Sequence, residues 1–197
     1  MLMPFRSGAM RGLRLQRGRV YLRPPRQSDW KSWAALREGS REFLLPWEPA
    51  WTGDALTRAA FRRRLRSYEL EWHRGTSYSF LIFHREDDVL LGGVTLSNVR
   101  RGVAQSASLG YWVGERFAQQ GYMSEALAAV LDFAFDRLAL HRAEAACLPD
   151  NEASKALLAK CDFREEGYAR QYLRINGRWQ DHVLFAILRD EWHKAKK

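Results

Sequence analysis

The sequence describes an α+β protein, a mixed central sheet of about seven strands flanked by helices. Three observations carry that reading. The hydrophobic period switches repeatedly between short apolar or alternating runs and i, i+3, i+4 spacing. The resulting order is a strand, two helices, three strands, a helix, a strand, a helix and two strands. The last pair of strands flanks Asn176-Gly177, a strong hairpin turn.

Val20-Tyr21-Leu22-Arg23 reads as the first strand, stopped by Pro24-Pro25. Ser28 or Asp29 is placed to cap a helix bearing Trp30, Trp33, Ala34 and Leu36. Phe43-Leu44-Leu45-Pro46-Trp47-Glu48-Pro49 reads as an apolar loop broken by prolines. Asp54 is placed to cap a second helix reaching about Arg74. Ser79-Phe80-Leu81-Ile82-Phe83 and Val89 to Val99 form a hairpin around Glu86-Asp87-Asp88. Ser106 to Val113 is the next strand. The helix after it buries Ala126, Leu127, Val130, Leu131, Ala134 and Phe135 on one face. Arg142 to Cys147 is a strand, Glu152 to Lys160 a helix with Asn151 as cap, and Gly167 to Ile175 pairs with His182 to Leu188.

At 197 residues, 46% hydrophobic and 13% aromatic, the chain can bury a proper core, and disorder is excluded. Neither repeats nor linkers divide it, so one domain is expected over 1–197, with its core at about 19–190. No apolar run approaches the roughly 20 residues that span a bilayer. Met1 to Arg26 is rich in arginine and free of acids, yet lacks the apolar stretch of a signal peptide, so a cytoplasmic, membrane-free protein is expected. Cys147 and Cys161 have no metal-ligand spacing and read as reduced structural thiols; no metal is expected. The net charge of +9 suits an acidic partner, either RNA, a ribosome or cofactor phosphates. Direct nucleic-acid contact is not the favoured reading, because no aromatic-studded RNA motif accompanies the charge.

The most informative stretch runs from Tyr111 to Ala126: an apolar strand, a short turn, Gly121, then an amphipathic helix without a Pro or Asp cap. A helix start leaves about four backbone N–H groups without partners inside the helix. With the helix dipole behind them, they suit a phosphate. A strand feeding such a start can hold a long phosphorylated cofactor along its edge.

This order, with these motifs in these places, resembles the GCN5-related N-acetyltransferases (GNAT superfamily). That family's phosphate loop, Gln/Arg-x-x-Gly-x-Gly/Ala, falls on Ala118-Gln119-Gln120-Gly121-Tyr122-Met123; Gly121 matches, while Ala118 and Met123 depart. Val113 before the loop, and Asn151, Ser154, Leu158 and Phe163 after the next strand, extend the match. Three segments further resemble the RimJ group of ribosomal-protein-alanine N-acetyltransferases: Phe43 to Pro49, Leu96 to Gly102, and Gly167 to Val183. Cys161-Asp162-Phe163 departs from the family's Leu-Gly-Phe.

The resemblance implies direct acetyl transfer from acetyl-CoA to an amine. It places the pantetheine against Tyr111, Trp112 and Val113, with Asn151 as a further contact. It places the pyrophosphate on the backbone of Gln119, Gln120, Gly121, Tyr122, Met123 and Ser124. The RimJ likeness makes the acceptor a protein N-terminus, most specifically a ribosomal protein beginning with Ala. A small-amine acetyltransferase, or an acetyl-CoA-binding or RNA-associated module without turnover, are the alternatives.

An α-amino group, with a pKa near 7.7–8.0, is about a tenth neutral at pH 7, whereas a lysine amine is almost wholly charged. A weak base or a water relay therefore suffices. Some relatives end the strand before the Asn cap on a carboxylate; this chain has Ala146-Cys147 there. Glu48 is the candidate to receive or orient the ammonium. The competing reading is a loop carboxylate paired with an arginine; Asp181 and His182 are further candidates. Many relatives place a Tyr seven residues after the Asn to protonate the thiolate, but here that position is Leu158. Ser154 is the remaining polar group on that helix and the candidate acid. Its competing reading is a first-turn Ser bound to its own backbone. Arg58, Arg62, Arg63, Arg64 and Arg66 on the second helix read as a solvated face, with RNA docking as the alternative.

Overall fold

The computed structural model describes residues 12–195; the first part of the arginine-rich segment lies outside them. The strands are β1 (Leu15–Arg17), β2 (Val20–Arg23), β3 (Tyr78–His84), β4 (Leu90–Arg100), β5 (Ser106–Val113), β6 (Arg142–Cys147), β7 (Arg164–Ile175) and β8 (Arg178–Leu188). The helices are α1 (Trp30–Glu38), α2 (Arg41–Leu44), α3 (Arg58–Arg74), α4 (Tyr122–Asp132), α5 (Glu152–Lys160) and α6 (Arg189–Ala195). The eight strands form one sheet, ordered β1-β2-β3-β4-β5-β6-β8-β7, and every neighbouring pair is antiparallel except β5–β6. The eighth strand, β1, is only three residues long and buries Leu15 alone, so it has no period for a sequence reading to detect.

The β5–β6 pair positions the site. It is paired only from Ser106↔Arg142 to Leu109↔Ala145. Beyond that, β5 continues beside β4 to Val113, and β6 beside β8 to Cys147. The sheet therefore opens into a wedge, and Gly110 is exposed although it lies on a central strand.

Each face of the sheet carries its own core. On one face Trp72, Tyr78, Phe80 and Phe133 pack ring against ring, with centroids 4.8–6.2 Å apart, beneath Leu127, Val130 and Leu131 of α4. Phe133 is fully enclosed, and truncating such a ring typically costs about 3–5 kcal/mol. The other face holds Tyr21, Trp33, Leu36, Phe61, Leu81, Phe83 and Leu90 under α1 and α3. After α4 the backbone widens through Phe133–Arg137, where Leu138 N–H reaches back to Phe133 C=O at 3.0 Å.

Two caps differ from expectation. Thr57, not Asp54, caps α3, its hydroxyl accepting from Ala60 N–H at 3.2 Å. Asp54 is turned to the Thr52 hydroxyl and Arg63 instead. Asp29 stands at the start of α1 but makes no side-chain cap. Its carboxylate accepts from Arg26 N–H at 2.6 Å and forms a two-pronged pair with Arg23, at 2.6 and 2.8 Å. A buried carboxylate is better satisfied by a guanidinium than by one amide. The expected loop Phe43 to Pro49 in fact begins with the last turn of α2 and continues as a 3-10 turn, Leu45–Trp47, with Pro46 in its first positions.

Candidate active site

At the wedge the backbone of β5 is half unpaired. Gly114 N–H donates to Leu91 C=O at 2.9 Å, and the Trp112 carbonyl lies so close to Gly92 that a Cβ there would sit 2.3 Å from it. Alternation along an antiparallel pair then turns the N–H and C=O of Tyr111 and Val113 away from β4, toward the gap that β6 has left. Trp112 is different. Its backbone faces β4, and its ring packs with the second core, 4.8 Å beneath the Arg37 guanidinium.

The loop after β5 is shaped by left-handed residues. Gln119 has φ 59° and Gly121 φ 85°. Gly121 opens α4 without a side-chain cap, and the first intrahelical bond is Glu125 N–H to Gly121 C=O at 3.2 Å. The N–H groups of Tyr122, Met123 and Ser124 precede it, the orphan donors of a helix start. A staple from the β1–β2 turn holds the loop. The Glu125 carboxylate accepts from Arg19 N–H at 2.6 Å and Nε at 2.8 Å, while Arg19 Nη2 donates to Gln120 C=O at 2.9 Å. Beside the loop lies a cleft of about 520 Å³ lined by Arg17, Arg19 and Lys160. These cations were not singled out in the sequence, because their distance from Gly121 along the chain hides them within a general basic excess. Met123 is buried, a core residue at its side chain.

From beyond β6, α5 reaches back to β5 at the wedge. Asn151 Oδ1 accepts from Ser154 N–H at 3.0 Å, so the predicted cap is present. The Ser154 hydroxyl is 3.0 Å from the Tyr111 hydroxyl. Burial pushes the Tyr111 phenol well above its ordinary value, which keeps it protonated. Leu158, one turn beyond Ser154, is wholly buried in the core. Cys147 and Cys161 are buried near this pair, each thiol pushed up to about 11 by burial.

On the α1–α3 face of the sheet, and reaching the wedge at Tyr111, a cavity of about 890 Å³ is lined by Trp33, Arg37, Glu48, Trp51, Tyr111 and Trp112 among others. Glu48 pairs with Arg37 and accepts from Trp51 Nε1 at 2.9 Å. Arg37 in turn stacks on Trp51 with its carbon 4.5 Å from the ring centroid. The arginine-paired reading of Glu48 is thus observed, and the pair forms part of the cavity wall. The β7–β8 turn closes over this loop, Asn176 N–H donating to Glu48 C=O at 3.0 Å. Asp181 is taken up by Tyr168 and the Gln171 N–H, and His182 is buried. Arg62, Arg63, Arg64 and Arg66 are exposed on α3, and Arg63 and Arg64 reach the cavity rim.

A mixed sheet split between its central parallel strands, with a glycine-initiated helix at the split, defines an acyl-CoA-type acyltransferase. The acetyltransferase (GNAT) domain family matches residues 19–164, and the chain belongs to that family; it is an N-acetyltransferase of the ribosomal-protein acetyltransferase group. It is 34% identical to the [ribosomal protein uS5]-alanine N-acetyltransferase of Escherichia coli, over 91% of this chain and 93% of that one. It is 36% identical to a Bacillus subtilis protein named "Probable N-acetyltransferase YjcK", over 86% and 93% of the two chains. The structure of Mycobacterium smegmatis RimJ in complex with CoA-disulfide superposes with a TM-score of 0.84 at 36% identity, covering 91% of this chain and 87% of that one. No helix among the described residues is long and apolar enough to cross a membrane, and no group of metal-ligating side chains occurs among them.

Proposed function

We propose that this enzyme acetylates the N-terminal α-amine of a ribosomal protein, one beginning with Ala, using acetyl-CoA. The observation that carries the reading is the wedge itself, which leaves the backbone of Tyr111 and Val113 without a partner on β6 and brings the Tyr111 and Ser154 hydroxyls to 3.0 Å. The pantetheine lies in the gap as an added strand, and its pyrophosphate meets the N–H groups from Gly121 to Ser124, with Arg17, Arg19 and Lys160 alongside. The similarity to the uS5-alanine enzyme and to RimJ supports the acceptor.

The acceptor enters through the cavity on the α1–α3 face. The Glu48 carboxylate, fixed by Arg37 and Trp51, orients the incoming ammonium. A proton leaves to water, and the amine nitrogen attacks the thioester carbonyl. A free β5 N–H stabilises the developing oxyanion; a single such donor elsewhere contributes about 3–4 kcal/mol. The C–S bond then breaks as the attacking nitrogen sheds its second proton to water, and the thiolate, held by a hydrogen bond from Ser154, takes a proton back from water to leave as the thiol. With Tyr111 as the donor to Ser154 Oγ, the serine's own hydrogen is free to point at sulfur.

The test is to assay thiol release with a peptide beginning with Ala, one beginning with Ser, and a panel of small amines, alongside mass spectrometry of cellular N-termini with and without the enzyme. Turnover on the Ala peptide and loss of acetyl from a ribosomal N-terminus are expected. Turnover confined to small amines refutes the proposal.

A further inference from the structure

The far end of the β7–β8 hairpin takes no part in the transfer chemistry. β8 pairs with β6 only over Val183–Leu188, and β7 is the outermost strand of the sheet. Residues 170–182 therefore form a two-stranded ribbon that runs past the sheet and is fastened at its tip by Asn176 to the Glu48 loop. Exposed large hydrophobic side chains concentrate on this hairpin: Tyr168, Tyr172, Leu173 and Trp179. Trp179 is the most open of the four, 61% exposed, and stands directly across the ribbon from Arg174. Ring and guanidinium thus share one face. Arg170 and Arg178 are exposed alongside. The carboxylate within the ribbon, Asp181, is already satisfied, accepting from Tyr168 Oη and Gln171 N–H at 2.8 Å each.

Such a surface offers flat rings and positive charge together. An acidic protein would pair the arginines yet leave the ring faces wet. Single-stranded RNA supplies both complements, bases that stack on aromatic faces and phosphates that pair with guanidinium groups. We propose that the β7–β8 ribbon is a docking surface for single-stranded RNA, with a base stacked on Trp179 and a phosphate on Arg174. The choice of RNA also rests on the ribosomal-protein reading above, since an acceptor emerging from a ribosomal particle arrives beside RNA. The ribbon tip abuts the acceptor cavity, so RNA held there presents a neighbouring N-terminus to Glu48.

The experiment is fluorescence anisotropy of a labelled single-stranded RNA oligonucleotide titrated with full-length protein over a KCl series, with acetylation of a free Ala peptide measured in parallel. Wild type binds, and the affinity falls with salt. Trp179→Ala weakens binding about tenfold, and Trp179→Phe restores most of it, because stacking needs a ring. Arg174→Gln makes the log–log salt slope shallower by about 0.7, one phosphate contact on a single strand. Arg62→Gln on α3 leaves binding unchanged, and all of these variants acetylate the free peptide like wild type. RNA binding that ignores Trp179 and Arg174, or that fails with Arg62→Gln, overturns the proposal. So does a concentration-dependent dimer that Trp179→Ala dissociates, since the ribbon then serves a second copy. Peptide acetylation without RNA binding refutes the ribbon alone, whereas RNA binding without peptide acetylation refutes the acceptor reading alone.

Discussion

Tyr111 on β5 and Ser154 on α5 meet hydroxyl to hydroxyl at 3.0 Å, across the wedge where the sheet divides. The serine's amide is already occupied by Asn151, so its hydroxyl is not spent on capping its own helix. If this pair serves the leaving thiolate, Ser154→Ala lowers the single-turnover rate about 10²-fold with acetyl-CoA affinity nearly unchanged. Tyr111→Phe lowers it less, and the double variant is no slower than Ser154→Ala, because the two act as one unit. Thioesters of more acidic thiols rescue both variants. Unchanged single-turnover rates remove Ser154 from the mechanism.

Gly121 sits at φ 85°, and a Cβ there would lie 3.2 Å from Arg19 Nη2. Gly121→Val strains the backbone by about 1–2 kcal/mol and shifts the guanidinium that holds the loop. Calorimetric titration with CoA is expected to show affinity lowered at least tenfold, with peptide KM little changed. Wild-type affinity would contradict the loop assignment.

Glu48→Gln separates acceptor from cofactor. The variant leaves the Arg37 guanidinium half-paired among three tryptophans, at a stability cost of about 1–3 kcal/mol read from urea unfolding. Peptide KM rises several-fold, while acetyl-CoA KM holds. An unaltered peptide KM means that Glu48 serves the wall and not the ammonium.

The thiols Cys147 and Cys161 give an alkaline signature. Their folded values, pushed up to about 11, lie above the roughly 8.5 of an unfolded chain. A raised folded value means the unfolded state sheds protons first, so stability falls with pH between those limits. Their contribution is complete below about pH 8.5 and is lost as pH rises through about 11. Urea midpoints are expected to fall over that window, and replacing both cysteines by Ala should flatten the fall. A slope unaffected by the replacement would show that other groups govern it.

Much of the fold was legible in the residues. β5, β6 and α5 lie where Ser106 to Val113, Arg142 to Cys147 and Glu152 to Lys160 were expected, because each carries a clear period and a turn or cap at its ends. β1 and the Thr57 cap were not, the first for want of a period and the second because Asp54 preferred Thr52 and Arg63. The site divides in the same way. Gly121 and Asn151 declare themselves locally, one by its place before a helix and the other as a cap.

What the sequence determined by itself is local: the helix starts, the strand runs, and the loop suited to phosphate. Only the tertiary structure decided which side chains meet. Leu158 leaves an empty place for a tyrosine in the sequence, and the fold brings a phenol to Ser154 from Tyr111, 43 positions away. Arg17 and Arg19 likewise come to the Gly121 loop from the far end of the described chain. Periodicity and capping are short-range and can be read along a chain, whereas hydrogen bonds between distant strands depend on register and on where a sheet parts, which only packing fixes.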